Sequence, residues 1–229
     1  MQKYTAIILS SRDIGEFDRL YAMYTLEQGL VRTVARGVRK STAKLAGHLE
    51  PGTLSEVYVA RSRGTGQIVS AIMLDNFGSV KNDFEKLQEI LKIFSFLLKN
   101  FSEGEKDERV FELLKSFLET VNGEKLLLEA FWWKLFDALG QRPEVMKCAH
   151  CRKRLVENSE KFFSAEKGGV IPAACRVSSG ELVPVSNNQI KLLRIFWANP
   201  LAKIAKVKVG EKELRGLGRI REIFRRYNF

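Results

Sequence analysis

The 229-residue sequence has few of the residues on which disulfide-bonded, membrane-spanning and hydrolytic proteins depend. Three cysteines, with no apolar leader after Met1, argue against a disulfide framework and predict a reducing, cytoplasmic location. The richest apolar stretch, Leu126 to Leu139, is interrupted by Glu129, Lys134 and Asp137, and a membrane helix needs about 18 uninterrupted apolar residues. Two histidines and no glycine-rich phosphate loop leave little basis for hydrolytic catalysis.

Acidic residues are scarce at one end of the chain, and the formal net charge is +11. Residues 186–229 hold eleven Lys and Arg against three Asp and Glu, and residues 1–80 hold ten against seven. The charges of residues 81–185 balance. A basic surface attracts phosphate backbones, anionic lipid or acidic protein tails, so charge alone predicts a polyanionic partner without choosing among these classes.

Five short runs rich in β-branched and aromatic residues fill residues 1–80. Two turns, Glu27 to Gly29 and Ser62 to Gly66, would each close a hairpin because glycine accepts a positive φ. Five strands with one wider loop, Gly37 to Gly52, predict a small OB-type barrel over residues 1–80, with a sandwich or an SH3-like barrel as alternatives. The predicted strands are Thr5 to Ser11, Leu20 to Leu26, Leu30 to Arg36, Leu54 to Ala60 and Gln67 to Leu74.

From Asp83 onward the hydrophobic period changes from two to about 3.6 residues, which is typical of helices. Gly140 suits a left-handed helix end, and Ser186 with Gln189 forms the pattern of a capping box. We therefore predict a helical domain over residues 81–229, with a cysteine-bearing insert near 145–180 inside a loop-like region, 141–185. The predicted helices are 83–100, one marked by Val110 to Val121, 124–140, 186–198 and 213–227.

The most distinctive basic stretch runs from Leu30 to Leu45 and contains no acidic residue. Alternation along a strand would place Arg32 and Arg36 on one face, and the loop beyond Gly37 would wrap a polyanion. The alternative is a solvated basic loop, but a cluster without carboxylates repels itself unless a counter-charge binds there. The predicted DNA-backbone contacts are Arg32, Arg36, Arg39, Lys40 and Lys44. Arg215, Arg219, Arg221 and Arg225 of the last helix form a weaker second patch, for DNA or an acidic protein tail.

Cysteine spacing raises a metal-site hypothesis. Cys148 and Cys151 are three positions apart, so both thiolates can reach one tetrahedral ion from a tight turn. Small thiols that pack as hydrophobic side chains are the alternative. His48 and Glu50 with the same cysteine pair also imitate a zinc-deaminase signature. That interpretation is disfavoured because Pro51 follows directly, where a helix should begin.

Several stretches in the same order resemble the RecO family of recombination mediator proteins, and together they cover nearly the whole chain. The order of the set carries the resemblance. The stretches are Ala6 to Ser11 with Glu16 to Leu20, Arg32 to Lys40, Gly47 to Pro51, Gly140 to Pro143, Cys148 to Cys151, and Phe162 and Gly168-Gly169 ahead of a further cysteine.

The resemblance implies an α+β chain with an OB-fold barrel, a helical domain and a small zinc-finger-like insert. It also implies binding to single- and double-stranded DNA, annealing of complementary strands, and contact with the tail of single-strand binding protein. It further implies that the chain helps RecA load together with RecR. The expected location is the cytoplasm, at the nucleoid, and no enzymatic activity is expected. An RNA-binding OB-fold accessory protein is the alternative function.

The sequence departs from the family pattern of two cysteine pairs at Pro172, which stands where the first cysteine of the second pair is expected. Cys148, Cys151 and Cys175 remain as the predicted zinc ligands. A closed structural site needs four ligands, so the resemblance predicts either a three-cysteine site or one that has lost its metal.

Overall fold

The computed structural model describes residues 1–41, 43–60, 65–78, 83–121, 125–176 and 180–229. The chain divides into two compact units, Met1–Gly123 and Glu124–Phe229. Among the described residues, no helix has both the length and the apolar character that a membrane span requires.

The first unit contains a closed five-stranded barrel with the strand order β1-β2-β3-β5-β4, the closed Greek-key arrangement of an OB fold. This confirms the predicted barrel, and the strand positions agree closely because each strand is a run rich in β-branched and aromatic residues that turn residues bound. The longest strand extends well beyond its predicted ends and carries a register shift between Ile8 and Ser10. The strands are β1 (Gln2–Ile14), β2 (Asp18–Thr25), β3 (Gly29–Ala35), β4 (Leu54–Ala60) and β5 (Gln67–Asp75).

Two helices complete the first unit, α1 (Phe84–Asn100) and α2 (Glu108–Thr120). Asp83 and Asp107 cap them through hydrogen bonds to amides of the first turn. Their connection docks on the barrel, because the Gly104 amide donates to the Leu30 carbonyl at 3.1 Å. Contacts therefore group both helices with the barrel, whereas the hydrophobic period divides the chain near residue 80.

The second unit is built on α3 (Lys125–Ala138), α4 (Asn187–Ala198), a single turn α5 (Leu201–Ile204) and α6 (Glu211–Asn228). Its core is aromatic: the Trp133 ring lies 5.6 Å from Phe136 and 5.6 Å from Phe224. The predicted capping box is confirmed, since Ser186 and Gln189 each bond the other's backbone amide. Phe131, Phe136 and Phe224 are buried in this core, whereas Tyr227 near the end of α6 is 59% exposed.

The region expected to be loop-like contains a three-stranded sheet in the order β7-β6-β8. Its strands are β6 (Lys161–Ser164), β7 (Gly169–Pro172) and β8 (Leu182–Pro184). A strand of three or four residues is too short to show a period in sequence, which explains the wrong prediction. Gly169 is required at the start of β7, because a Cβ there would lie 2.2 Å from the Glu144 carbonyl oxygen.

Candidate nucleic-acid interface and cysteine cluster

The basic loop that follows β3 is anchored to the turn between β1 and β2. The Gly37 amide donates to Asp18 Oδ1 at 2.7 Å, and the Arg39 amide donates to the Phe17 carbonyl at 3.0 Å. The Arg39 guanidinium also donates to the Glu16 carbonyl at 3.1 Å. The loop therefore has a defined path at this end of the barrel, and the expectation of a freely wrapping loop is corrected for residues 37–41.

Two of the five predicted DNA contacts have carboxylate partners from distant parts of the sequence. Arg32 Nη1 lies 2.9 Å from Glu103 Oε1 and fastens β3 to the α1–α2 connection. Arg39 Nε lies 3.3 Å from Asp13 Oδ2, although a surface pair of this kind contributes only about 0–1 kcal/mol. The absence of carboxylates within residues 30–45 thus misled the sequence argument for Arg32, whose side chain already has a structural role.

The other three cations of the stretch remain available. Arg36, Lys40 and Lys44 are exposed, and within the described ranges none has an ion pair with a carboxylate. Arg36 lies one residue beyond the end of β3, so strand alternation does not set its direction, contrary to the sequence argument. These residues and Arg39 come from one turn-rich segment.

Phe17 is a functional candidate that sequence reasoning did not single out. Its ring is 41% exposed, whereas Tyr21 and Tyr24 are buried in the barrel. The Lys40 ammonium lies 5.6 Å from the Phe17 ring centroid, which is a cation–π distance. The sequence shows an aromatic residue between two predicted strands, but its exposure beside the basic loop is visible only in the structure. We call Phe17, Arg36, Arg39, Lys40 and Lys44 the barrel surface.

The four predicted arginines of α6 separate into two pairs. Arg221 is largely buried: its Nε lies 3.3 Å from Glu129 Oε2, and its guanidinium packs on the Trp132 ring at 5.6 Å. Arg225 pairs with Glu222 at 2.9 Å. The prediction for Arg221 is corrected, because its side chain serves a buried contact within the second unit. Arg225 has only a surface pair, so its assignment stays a prediction. Arg215 and Arg219 are exposed, and no carboxylate of the described residues pairs with either.

The first cysteine pair lies in a tight turn. The Cys148 amide donates to the Lys153 carbonyl at 2.8 Å, and the Arg152 amide donates back to the Cys148 carbonyl at 3.0 Å. Arg152 has a φ of 62°, the left-handed conformation that lets the chain reverse. The Cys151 amide points at Cys148 Sγ over 3.4 Å. The turn therefore brings both sulfurs to the same side.

The third cysteine reaches the same place from β7. This strand ends at Pro172 and leads into one 3-10 turn, Ala173–Cys175. The sulfurs of Cys148, Cys151 and Cys175 all lie within 4.8 Å of one another, and the Cys151 and Cys175 sulfurs are 3.5 Å apart. The prediction that these three residues converge is confirmed. Neither histidine belongs to this group in the part of the chain that the structure describes.

The donor set fits three corners of a zinc tetrahedron. Zn–S bonds of about 2.3 Å place sulfurs about 3.8 Å apart, close to the observed spacing. Pro172 supplies no ligand atom for the fourth corner. A hydrogen bond from the Lys153 amide lowers the pKa of the Cys151 thiol, and the hydrogen bond that Cys175 donates to Cys151 raises the pKa of Cys175 to about 11. Hydrophobic packing alone explains buried Cys148 but not exposed Cys151.

Two family models match the chain and divide it between them. The model described as Recombination protein O N terminal matches residues 1–77, which hold the barrel, and Recombination protein O C terminal matches residues 81–228. The chain belongs to the RecO family. The junction of the two RecO regions falls close to the boundary that the hydrophobic period predicts, and the fold expected from the resemblance is confirmed.

Curated RecO relatives match along most of their length. A DNA repair protein RecO from Dehalococcoides mccartyi strain BAV1 is 34% identical over 219 residues, covering 94% of this chain and 85% of the relative. DNA repair protein RecO from Pelotomaculum thermopropionicum is 29% identical over 229 residues, covering 99% and 88%. The protein of the same name from Desulforamulus reducens is 28% identical, covering 91% and 82%.

Proposed function

We propose that this chain is a DNA-repair mediator that binds single- and double-stranded DNA, anneals complementary strands and, with RecR, helps RecA load on DNA covered by single-strand binding protein. It acts in the cytoplasm at the nucleoid, and it does so without making or breaking covalent bonds. Family membership supports the repair role. The observation that carries DNA binding is the exposed Phe17 ring beside Lys40 and the unpaired cations of the same loop.

The barrel surface combines the two features that bind a single strand without reading its sequence. Arg36, Lys40 and Lys44 neutralise phosphates, and each phosphate contact releases counterions. Phe17 offers a face on which one base can stack, worth about 1–3 kcal/mol. Arg39 exchanges a weak surface pair with Asp13 for a phosphate at little cost. Annealing then follows from charge neutralisation, which lets two polyanions approach each other.

The salt dependence of oligonucleotide binding tests the barrel surface. For a dT oligonucleotide, R36Q/K40Q should flatten the plot of log K against log salt by about 1.4, because each single-strand contact contributes about 0.7. The matched control K92Q/K106Q removes the same charge from two exposed lysines that have carboxylate partners in the same unit. An unchanged slope in R36Q/K40Q, or an equal change in the control, contradicts the assignment.

The substitution F17A separates stacking from charge. It should weaken binding about 5- to 150-fold at constant salt slope, from a loss of about 1–3 kcal/mol. An annealing assay with and without single-strand binding protein then tests mediation, and preference for structured RNA over single-stranded DNA would favour the RNA-binding alternative instead.

For the cysteine cluster we propose one structural zinc ion, held by Cys148, Cys151 and Cys175, with the fourth position open to water or another exogenous ligand. Zinc would cross-link the Cys148 turn to the end of β7. Metal analysis of purified protein should find about one zinc per chain, and C175S should lower this content and the thermal stability of the second unit. Absence of zinc in protein purified without chelators contradicts the proposal.

A further inference from the structure

The second unit presents six exposed cations, of which the sequence argument had grouped only Arg215 and Arg219. They run from α5 through the following turn onto the first half of α6. Within the part of the chain that the structure describes, none has an ion pair with a carboxylate. The six residues, called the α5–α6 surface below, are Lys203, Lys206, Lys208, Lys212, Arg215 and Arg219.

Buried residues fix this segment in place. Leu201 and Ile204 anchor α5, and Leu217 and Ile220 anchor α6; all four side chains are at most 2% exposed. Four of the cations therefore project from anchored helices on the side away from the core, and Lys206 and Lys208 project from the connection between these helices. Lys212, Arg215 and Arg219 follow i, i+3, i+7 spacing, so they share one face of α6.

The nearby carboxylates leave the field of this surface largely intact. Glu213 accepts a hydrogen bond from the Ser186 hydroxyl at 2.7 Å, which fixes its position but leaves its negative charge to offset one cation. Glu222 is engaged with Arg225 and Arg221. Glu211 is exposed and offsets one cation. A cluster with so little compensation repels itself unless it binds an external polyanion.

The form of the surface favours a polynucleotide over a membrane or a peptide. No large exposed hydrophobic side chain lies among the described residues between Val156 and Tyr227, so nothing here would insert into lipid or hold an apolar peptide anchor. From Lys212 to Arg219 the helix rises about 10 Å, which spans about three phosphates of a strand at 3.4 Å each. A regularly charged polymer matches this spacing.

We infer that the α5–α6 surface is a second polynucleotide-backbone site, so that one chain binds two strands, one on each compact unit. This inference rests on the proposed function, because it takes the barrel surface as the first strand site. Two strands on one molecule raise the local concentration of each near the other, which is what annealing requires.

The test measures bridging of two short strands by the full-length chain. Donor- and acceptor-labelled dT8 oligonucleotides cannot pair, so energy transfer between them reports two strands on one protein. Wild type should give transfer and bind two oligonucleotides per chain. K212Q/R215Q/R219Q should bind one, lose transfer and show a salt slope smaller by about 2.

The matched control is K167Q/K191Q/R226Q, which removes two exposed cations and the half-buried Lys167 of the same unit, all of which already have carboxylate partners. It should bridge like wild type. Circular dichroism and melting temperature should be unchanged in both triple variants, because every altered side chain is on the surface.

The outcomes separate this inference from the proposed function. If K212Q/R215Q/R219Q still bridges the two strands, only the second site is overturned, because a dimer could bridge them through two barrel surfaces. Equal loss of bridging in the control also overturns only the second site. If K212Q/R215Q/R219Q loses binding to phosphatidylglycerol vesicles but still bridges the two strands, the second polynucleotide site is overturned in favour of a lipid-binding surface. An unchanged salt slope in R36Q/K40Q overturns only the barrel surface. If wild type binds no dT8 at low salt, both proposals fail.

Discussion

The docking of the α1–α2 connection on the barrel depends on one glycine, and substituting it gives a sharp test of the first unit. Gly29 has a φ of 67°, and a Cβ built on it would lie 1.9 Å from the Glu105 carbonyl oxygen and 2.6 Å from the carbonyl carbon. Gly15 has nearly the same φ, 63°, but nothing lies within 4 Å of its Cβ position. The pair G29A and G15A therefore differs in the clash and shares the backbone strain.

Both substitutions should lose about 1–2 kcal/mol, because an L-residue is disfavoured in the left-handed region. G29A should lose about 1–3 kcal/mol more, because the clash is with backbone that cannot rotate away. Urea unfolding followed by far-UV circular dichroism measures the difference. Tryptophan fluorescence should not change in either variant, because Trp132, Trp133 and Trp197 all belong to the second unit.

Hydrogen exchange locates the effect. The Gly104 amide, which donates to the Leu30 carbonyl, should exchange faster in G29A than in G15A. Equal stability and equal Gly104 exchange in the two variants would refute the docking argument, since the clash would then have no energetic consequence.

Three further predictions concern buried charge, pH and the insert. E129Q should destabilise the second unit by about 3–5 kcal/mol in tryptophan-monitored urea unfolding, because Arg221 would lose its buried charge partner. The surface substitution E222Q should cost at most about 0.5 kcal/mol, and similar losses in the two variants would contradict the role of the buried pair. The Arg109 side chain lowers the pKa of Asp107, so the stability that this carboxylate contributes is present above its unfolded pKa of about 3.9 and is lost as pH falls through the lower folded pKa. Urea midpoints of wild type and D107N, which keeps a cap, should therefore differ at pH 7 and converge in acid; a constant difference would count against it. G169A should reduce zinc retention more than G168A, because only a Cβ at Gly169 would clash with the Glu144 backbone. Equal zinc retention in the two variants would contradict the importance of this close contact.

The parts of the fold that follow from local pattern were predictable. Each barrel strand is a run of at least seven residues rich in β-branched and aromatic side chains, and each long helix repeats its apolar face over several turns. The capping box at Ser186 needs only four consecutive residues to be recognised. The insert sheet was missed because its strands have only three or four residues, too few to show a period.

The candidate sites also have parts that the sequence predicts and parts that it does not. Convergence of the three cysteines followed from spacing and family resemblance, whereas the partner of Arg32 lies 71 residues away and that of Arg221 lies on another helix. Sequence shows which side chains carry charge, but only packing shows which charges are already engaged. The exposure of Phe17 depends equally on the path of the loop after β3, which no local pattern specifies.

The barrel wall closes between β3 and β5 through a single parallel pair, Val34 with Gln67, in the described residues. Beyond that pair, β5 carries exposed Val69, Ile72 and Leu74, the composition of a strand that invites pairing with another chain. His48 Nδ1 accepts the Met73 amide at 3.3 Å and so occupies one backbone donor there. A side chain that looks like a catalytic ligand in the sequence thus makes a structural contact, which engages one of the backbone donors through which this strand could pair with another chain.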